Sequence, residues 1–398
     1  MSPNIFTNQH IHIIDPGCRF KTGHHFSLNR VICDQAKKRG KEAFVSVNQA
    51  CDPVVINALR ASPVHRSNAY VDFGGAEDNS SVISAINSFN EQFYKDLCTK
   101  VGEIGSADRI IMPTINQWLI LGAYWWAQQR VAREVPIDVI LMLPPTYPFG
   151  KKYLDVIEEL YTNTFRLWEK ADCNVRFLTP GQSITDEYKH LGCHRIETCP
   201  LPVHLTNEKK EGKDVESRRD MTTFVFAGDA RAEKGSALLP GACRKVSDSG
   251  RPYRLVLQSI DFAPENLKSA VEAKQKDIEL LGQLLFQDDF LDFLRCGDVT
   301  LLPYNPGSYA NRTSLIFIES LSVGRPVITC KGSWMAKELE NCAPGSGFTI
   351  NFTEDDLANS MIRAIDRVEE IRKTAHDIST EIRKKHGADR FGEFLLGA

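Results

Sequence analysis

Glu319 is the residue of this chain that most demands a chemical explanation. It lies in Asn311 to Ile328, NRTSLIFIESLSVGRPVI, where a polar loop runs into an apolar helix that carries this single acid and stops at Gly324-Arg325-Pro326. A carboxylate in such a helix is costly if unpaired, so it must face a polar ligand or a basic partner. Thr313 or Ser314 can cap the helix, which leaves the backbone N–H groups around Ser314, Leu315 and Ile316 directed out of its N-terminus as an anion site. Glu319 follows about 7 Å further along the axis at about 1.5 Å per residue, close to the span from a diphosphate to a ribose. One helix can therefore read both halves of a nucleotide diphosphate. A buried structural helix, with Glu319 paired to an arginine such as Arg325, accounts for the same residues.

A second segment favours the ligand. In Thr222 to Leu239, TTFVFAGDARAEKGSALL, an apolar strand ends at Gly228, passes a polar loop and enters a helix at Ser236. In an open α/β sheet that is the ligand-facing end of a strand. Arg231 and Lys234 sit in this loop beside Gly235, offering a planar fork and a point charge where a diphosphate could be held. Alone, such a loop is an ordinary solvated turn; followed by the Glu319 helix, it reads as half of an anion site.

These segments, with GDVTLLPY between them, resemble the C-terminal nucleotide-sugar domain of GT-B glycosyltransferases, nearest to the retaining family-4-like group (glycosyl transferases group 1). The resemblance covers most of residues 220 to 345. It implies that Arg231 and Lys234 bind the donor diphosphate, that the amides from Ser314 to Ile316 meet the phosphates, and that Glu319 holds the ribose. Gly228, Thr313 and Leu315 fall in the donor site on the same grounds. Gly282, Leu285 and Phe286 fall where the family meets the nucleobase. Two departures are specific to this chain: Asn311 stands where the family usually has a sugar-contacting glutamate, and Asp229 directly follows the strand-ending glycine where an arginine is common. The family generally works without a bound metal, so neither metal nor cofactor is expected beyond the nucleotide sugar itself.

Length and composition suit such an enzyme. The chain has 398 residues, enough for two domains, with 42% hydrophobic and 25% charged residues and a formal charge of −3, which provides no general basic field for nucleic acid. Its eleven cysteines are scattered without CxxC pairs or metal-like spacing, which argues for reduced thiols, a cytoplasmic setting and no zinc. The first ten residues, MSPNIFTNQH, lack the features of a signal peptide. The most apolar run, Trp118 to Ala127, is half the length needed to span a bilayer and reads as a buried helix, with a membrane-facing or acceptor-facing surface at the inner membrane face as the alternative.

Apolar strands alternate with helices along both halves, at 11–15, 43–48, 109–114, 137–143 and 175–179, and again at FVFAG, YRLVLQS, VTLLPY and PVITC. Helices are expected over 25–39, 80–101 and 151–171. This pattern predicts an α/β protein with two Rossmann-like doubly wound parallel-sheet domains, and the resemblance implies that they face a cleft in the GT-B architecture. The expected division is a first domain at 1–206, a linker at 207–220, a second domain at 221–386 and a final helix at 387–398; the resemblance implies that the first binds the acceptor, the second the nucleotide sugar, and that the final helix returns to the first domain. A flexible linker would let two domains close on a substrate.

On the acceptor side, the loop from Asp15 to His25, DPGCRFKTGHH, follows the first strand and opens the first helix. Gly23, His24 and His25 are its candidates for acceptor binding. His24 or His25 could orient a hydroxyl, donate to a phosphate or act as a general base; equally, one could cap the helix or pack against its neighbour. Asn116, after the third strand, could contact sugar hydroxyls or simply cap a helix. Tyr304, Asn305, Tyr309 and Asn311 could stack on or hydrogen-bond a donor sugar, or shape a turn around Pro306-Gly307. Asp288-Asp289 complements a helix dipole rather than forming a metal site.

The function expected is transfer of a sugar from a nucleotide diphosphate sugar to an acceptor hydroxyl; the resemblance implies a glycan or glycoconjugate acceptor, as in polysaccharide biosynthesis, with retention and without metal. Arg231 and Lys234 would stabilise the departing diphosphate, Glu319 would fix the ribose, and His25 is the catalytic candidate of the first domain; an essential histidine base would favour inversion instead. A nucleotide-sugar epimerase, or a noncatalytic nucleotide-sugar-binding scaffold subunit, are the competing readings.

Overall fold

The computed structural model describes residues 9–21, 23–70, 78–149, 152–203, 221–275, 277–283, 285 and 287–397. The expected linker at 207–220 and Phe286 lie outside them, as does the side chain of Asp288. The chain divides into two compact units, Met1–Pro200 with Phe391–Ala398, and Leu201–Arg390.

The first unit carries seven strands: β1 (His10–Asp15), β2 (Glu42–Asn48), β3 (Ser62–His65), β4 (Arg109–Met112), β5 (Ile137–Ile140), β6 (Val175–Thr179) and β7 (Ile196–Thr198). All pair in parallel in the order β3-β2-β1-β4-β5-β6-β7. Between them run α1 (His24–Lys38), α2 (Pro53–Leu59), α3 (Asn79–Lys100), α4 (Ile120–Arg130), α5 (Leu154–Lys170) and α6 (Gln182–His190). The strands β1 and β4 to β6 are buried almost throughout because both faces of a parallel sheet are covered. The tryptophan-rich run is a buried helix: Trp118 and Trp126 join the core with Phe165, Trp168 and Tyr188. No helix among the described residues is long and apolar enough to cross a membrane.

The second unit has a six-stranded parallel sheet in the order β10-β9-β8-β11-β12-β13. Its strands are β8 (Thr222–Phe226), β9 (Tyr253–Leu257), β10 (Ile278–Leu280), β11 (Val299–Leu302), β12 (Val327–Cys330) and β13 (Gly347–Ile350). Its helices are α7 (Leu239–Asp248), α8 (Glu265–Glu272), α9 (Gln287–Cys296), α10 (Pro306–Tyr309), α11 (Leu315–Ser322), α12 (Trp334–Cys342), α13 (Glu354–Asp366) and α14 (Val368–His386). The helix expected from Ser236 starts instead at Leu239, after two 3-10 turns at Ala232–Lys234 and Ser236–Leu238. Pro240 suits the first turn of that helix, where no N–H is needed.

The last helix, α15 (Ala388–Leu396), brings its buried Phe391, Leu395 and Leu396 to the first unit. Its backbone carbonyls are captured by basic side chains of that unit: Arg39 donates to Gly397 O at 2.8 Å, Lys41 to Leu396 O at 3.4 Å, and Arg109 to Leu395 O. Arg109 and Arg176 also hold the buried Asp138, each at 2.8 Å. All eleven cysteines are free thiols.

Candidate functional site

Strand order reverses once in each sheet, between β1 and β4 and between β8 and β11. Loops leaving the carboxyl ends of such neighbouring strands diverge to opposite faces and open a crevice, the usual ligand position in this class of sheet. The candidate residues of both halves lie on these four loops or on the helices that they enter, except Gly282 and Leu285, which follow β10 at the sheet edge.

In the second unit, the loop after β8 is built tightly against the end of β11. Gly235 has φ +74°, and a Cβ there would lie 1.9 Å from Pro303 O, so only glycine fits. Ser236 ties the loop down through its hydroxyl, which donates to Ala230 O at 2.7 Å. The Asn305 amide donates to Glu233 O at 2.9 Å and joins the two loops. This framework buries Lys234 to 7% exposure. Its ammonium has no hydrogen-bonding or ionic partner among the described residues and lies 5.8 Å from the centre of the Tyr304 ring. Burial foremost, then the nearby Arg231, bring the Lys234 pKa down to about 8.

Helix α11 meets the same place. A Cβ at Gly228 would lie 2.9 Å from Lys234 Nζ and 3.2 Å from Ile316 Cδ1, so the end of β8, the buried lysine and the first turn of α11 converge. The Gly228 amide is held by Gln258 Oε1 at 2.5 Å. Of the two possible caps it is Ser314 that serves, accepting from Phe317 N at 3.3 Å, while Thr313 precedes the cap. Phe317 is thereby satisfied, and the Leu315 and Ile316 amides belong to the open first turn. Glu319 is partly buried, and its carboxylate has no hydrogen-bonding or ionic partner among the described residues. Burial pushes its pKa up to about 8. The partner considered for it, Arg325, is directed elsewhere and donates to Arg295 O at 2.6 Å.

Tyr304 and Tyr309 are buried, with ring centres 4.6 Å apart. Tyr304 faces Lys234, and Arg312 stacks over Tyr309 at 4.3 Å, so these rings support cations rather than presenting open faces to a sugar. Arg231 and Arg312 both approach Glu233 Oε1, at 3.2 and 3.3 Å. Glu233, Gln258 and Arg312 are members of this cluster that sequence reasoning missed; the signal for Arg312 was its place beside Asn311. Asn311 is partly buried in the same loop. Gly282, exposed with φ +73°, follows the edge strand β10, and Leu285 packs against the cluster of Val225, Ala227 and Leu294.

In the first unit, Asp15 ends β1 with no exposure and accepts three donors: His25 Nδ1 at 2.8 Å, Asn29 Nδ2 at 2.8 Å and the Gly17 amide at 3.1 Å. Burial pushes the Asp15 carboxyl up, but His25 and Asn29 outweigh it and hold the carboxyl below its usual range. The carboxylate therefore fixes Nδ1 of His25 as the donor, and the buried Nε2 has no hydrogen-bonding partner among the described residues. Gly17 is necessary here, since a Cβ would lie 2.3 Å from His25 Cε1. Neither histidine caps α1; Gly23 holds that position at φ 84°. His24 stacks on His25 with ring centres 4.4 Å apart, lies 3.2 Å from the Tyr70 hydroxyl, and is kept neutral, its pKa lowered to about 3 by burial and then by His25. Asn116 is committed to structure: its Nδ2 donates to Ala69 O at 2.5 Å and its Oδ1 accepts from Trp118 N at 3.1 Å. Among the described residues, no group of three or more His, Cys, Asp or Glu is placed to hold a metal ion.

No protein-family model and no curated protein matches the chain. Solved structures do. The N-terminal domain of a trehalose-6-phosphate phosphatase from Candida albicans is 11% identical, with a TM-score of 0.69 over 100% of this chain and 97% of that one. A sucrose-phosphate synthase from Thermosynechococcus elongatus is 12% identical, with a TM-score of 0.65 over 98% and 97%. Anabaena HepE, solved in complex with UDP and glucose, is 13% identical, with a TM-score of 0.64 over 97% and 98%. At such identities the likeness is one of fold, and the chain has the two-Rossmann GT-B fold of these proteins.

Proposed function

We propose that this protein transfers a glycosyl group from a nucleotide diphosphate sugar to a hydroxyl of a glycan or glycoconjugate, in the cytoplasm or at the inner membrane face. The observation that carries the reading is the convergence of the buried Lys234 ammonium with the first turn of α11, the helix that also carries Glu319, neither side chain having a hydrogen-bonding or ionic partner among the described residues. A cation and helix amides recognise a diphosphate, and a carboxyl one to two turns beyond them recognises a ribose. Breaking the anomeric C–O bond places negative charge on the diphosphate. Arg231, Lys234 and the Leu315 and Ile316 amides are positioned beforehand to stabilise that charge, so no metal is needed for this step. Retention follows if the departing phosphate takes the acceptor proton.

A second stereochemical reading rests on one observation, the Asp15-oriented His25 whose Nε2 has no hydrogen-bonding partner among the described residues. If His25 takes the acceptor proton, the product is inverted; the anomeric configuration of the product, read by NMR, separates the two. An epimerase would return isomerised donor without an acceptor, and a scaffold subunit would bind donor without turnover.

The test is a calorimetric and thermal-shift screen of UDP, GDP, ADP, CMP and their sugar conjugates against wild type, Lys234→Ala and Glu319→Ala. Binding of one nucleotide that both substitutions weaken, followed by transfer to an acceptor, is the expected result. A folded protein that binds none of them would remove the donor site.

A further inference from the structure

Arg312 is the cation that the donor-site reading leaves unused. Its side chain is only 13% exposed, it stacks on Tyr309 at 4.3 Å, and Tyr309 in turn packs on Tyr304, whose ring faces Lys234. A buried aromatic pair thus has one cation at each end. The guanidinium of Arg312 shares a single oxygen, Glu233 Oε1, with Arg231, at 3.3 and 3.2 Å. Glu233 is itself one-third exposed, and its loop is tied to the loop after β11 through its backbone carbonyl, which accepts from the Asn305 amide, as well as through its carboxylate. Two arginines converging on one carboxylate oxygen, next to a buried lysine with no ion pair among the described residues, form an arrangement that a phosphate group satisfies better: it offers several oxygens to the same forks.

We propose, resting on the donor-site reading, that Arg312 is a third cation of the diphosphate site and that Glu233 is an internal anion displaced from both arginines when the diphosphate binds. The consequence is a sign difference. Removing Arg312 takes away an attraction for the ligand, whereas neutralising Glu233 takes away a competitor.

Pyrophosphate tests this without reference to base or sugar. Calorimetric titration of the full chain with pyrophosphate would compare wild type, Lys234→Ala, Arg312→Ala, Arg312→Lys and Glu233→Gln, with thermal melting to confirm that each is folded. Arg312→Ala should weaken binding by about tenfold or more, the size of a lost charge-assisted hydrogen bond, with Arg312→Lys in between. Glu233→Gln should tighten it by about threefold or more, because a repulsive charge and a competitor are lost together. If Lys234→Ala weakens binding but Arg312→Ala does not, the donor site stands and this inference falls. If Glu233→Gln weakens binding, Glu233 is a strut that positions the arginines and displacement is wrong; should Arg312→Ala not fold, this variant and Arg312→Lys still decide. A wild type that binds no pyrophosphate overturns both readings.

Discussion

The two switch points of this molecule hold charge in opposite ways. At the first, the Asp15 carboxylate is fully buried yet receives three donors, so the fold itself completes its hydrogen bonding. At the second, Lys234 and Glu319 are withdrawn from water without a partner among the described residues, and burial shifts both toward their neutral forms. The first arrangement stabilises the fold and orients one nitrogen of His25. The second costs stability, which is reasonable only where a ligand supplies the missing partners.

The sharpest way to break this contrast is Lys234→Met. Turnover of a nucleotide-sugar donor should fall by about 10²–10³-fold, the usual loss for a group that stabilises developing charge, while the melting temperature holds or rises. Lost stability along with lost activity would make Lys234 structural. Asp15→Asn should do the reverse on stability, costing about 2–4 kcal/mol in urea unfolding because three buried donors lose their charged acceptor. The Asp15 carboxyl is lowered in the folded state, so its contribution is present above the ordinary carboxyl range and is lost as pH falls through the lowered value; the variant should show less acid sensitivity.

A subtler difference appears in melting temperature against pH. Glu319 is raised from 4.5 to about 8, so stability associated with it is present at low pH and is lost as pH rises across that interval. Lys234 is lowered from 10.5 to about 8, so its contribution is present at high pH and is lost as pH falls across the upper interval. Glu319→Gln should flatten the first limb only, and Lys234→Met the second only. The smallest effect is expected at His24, which is kept neutral and lies outside the Asp15 hydrogen bonds: His24→Gln should change turnover by less than about threefold, against about a hundredfold or more for His25→Gln if His25 is the base.

The sequence made legible what a single stretch of chain decides. The apolar β8 ending at Gly228, the Arg231 and Lys234 loop, and the cap-to-acid spacing of α11 are local, and so is the strand-helix alternation that gives the GT-B fold. The strands it did not reveal, β3, β7, β10 and β13, have three or four residues each and lie at or next to sheet edges, too short for a periodic signal. Partnerships across distance were also hidden. Glu233 and Arg312 are 79 positions apart and meet only because β8 and β11 are neighbours. Asp15 read as the start of a loop, since nothing in DPGCRFKTGHH says that ten residues later a helix will return His25 to the strand end. The tyrosines show the same limit: an aromatic beside a loop gives no indication of whether its face is covered.

The docking of α15 has a consequence for how the protein is made. Phe391, Leu395 and Leu396 complete a unit whose seventh strand ended nearly two hundred residues earlier, and the carbonyls they follow are the partners of Arg39, Lys41, Arg109 and Arg176. On the ribosome, the first unit emerges early but must wait through synthesis of the whole second unit before this surface is covered. The domain that is first in sequence is therefore the last to be finished, and a gene split between the units would have to carry α15 with its first half.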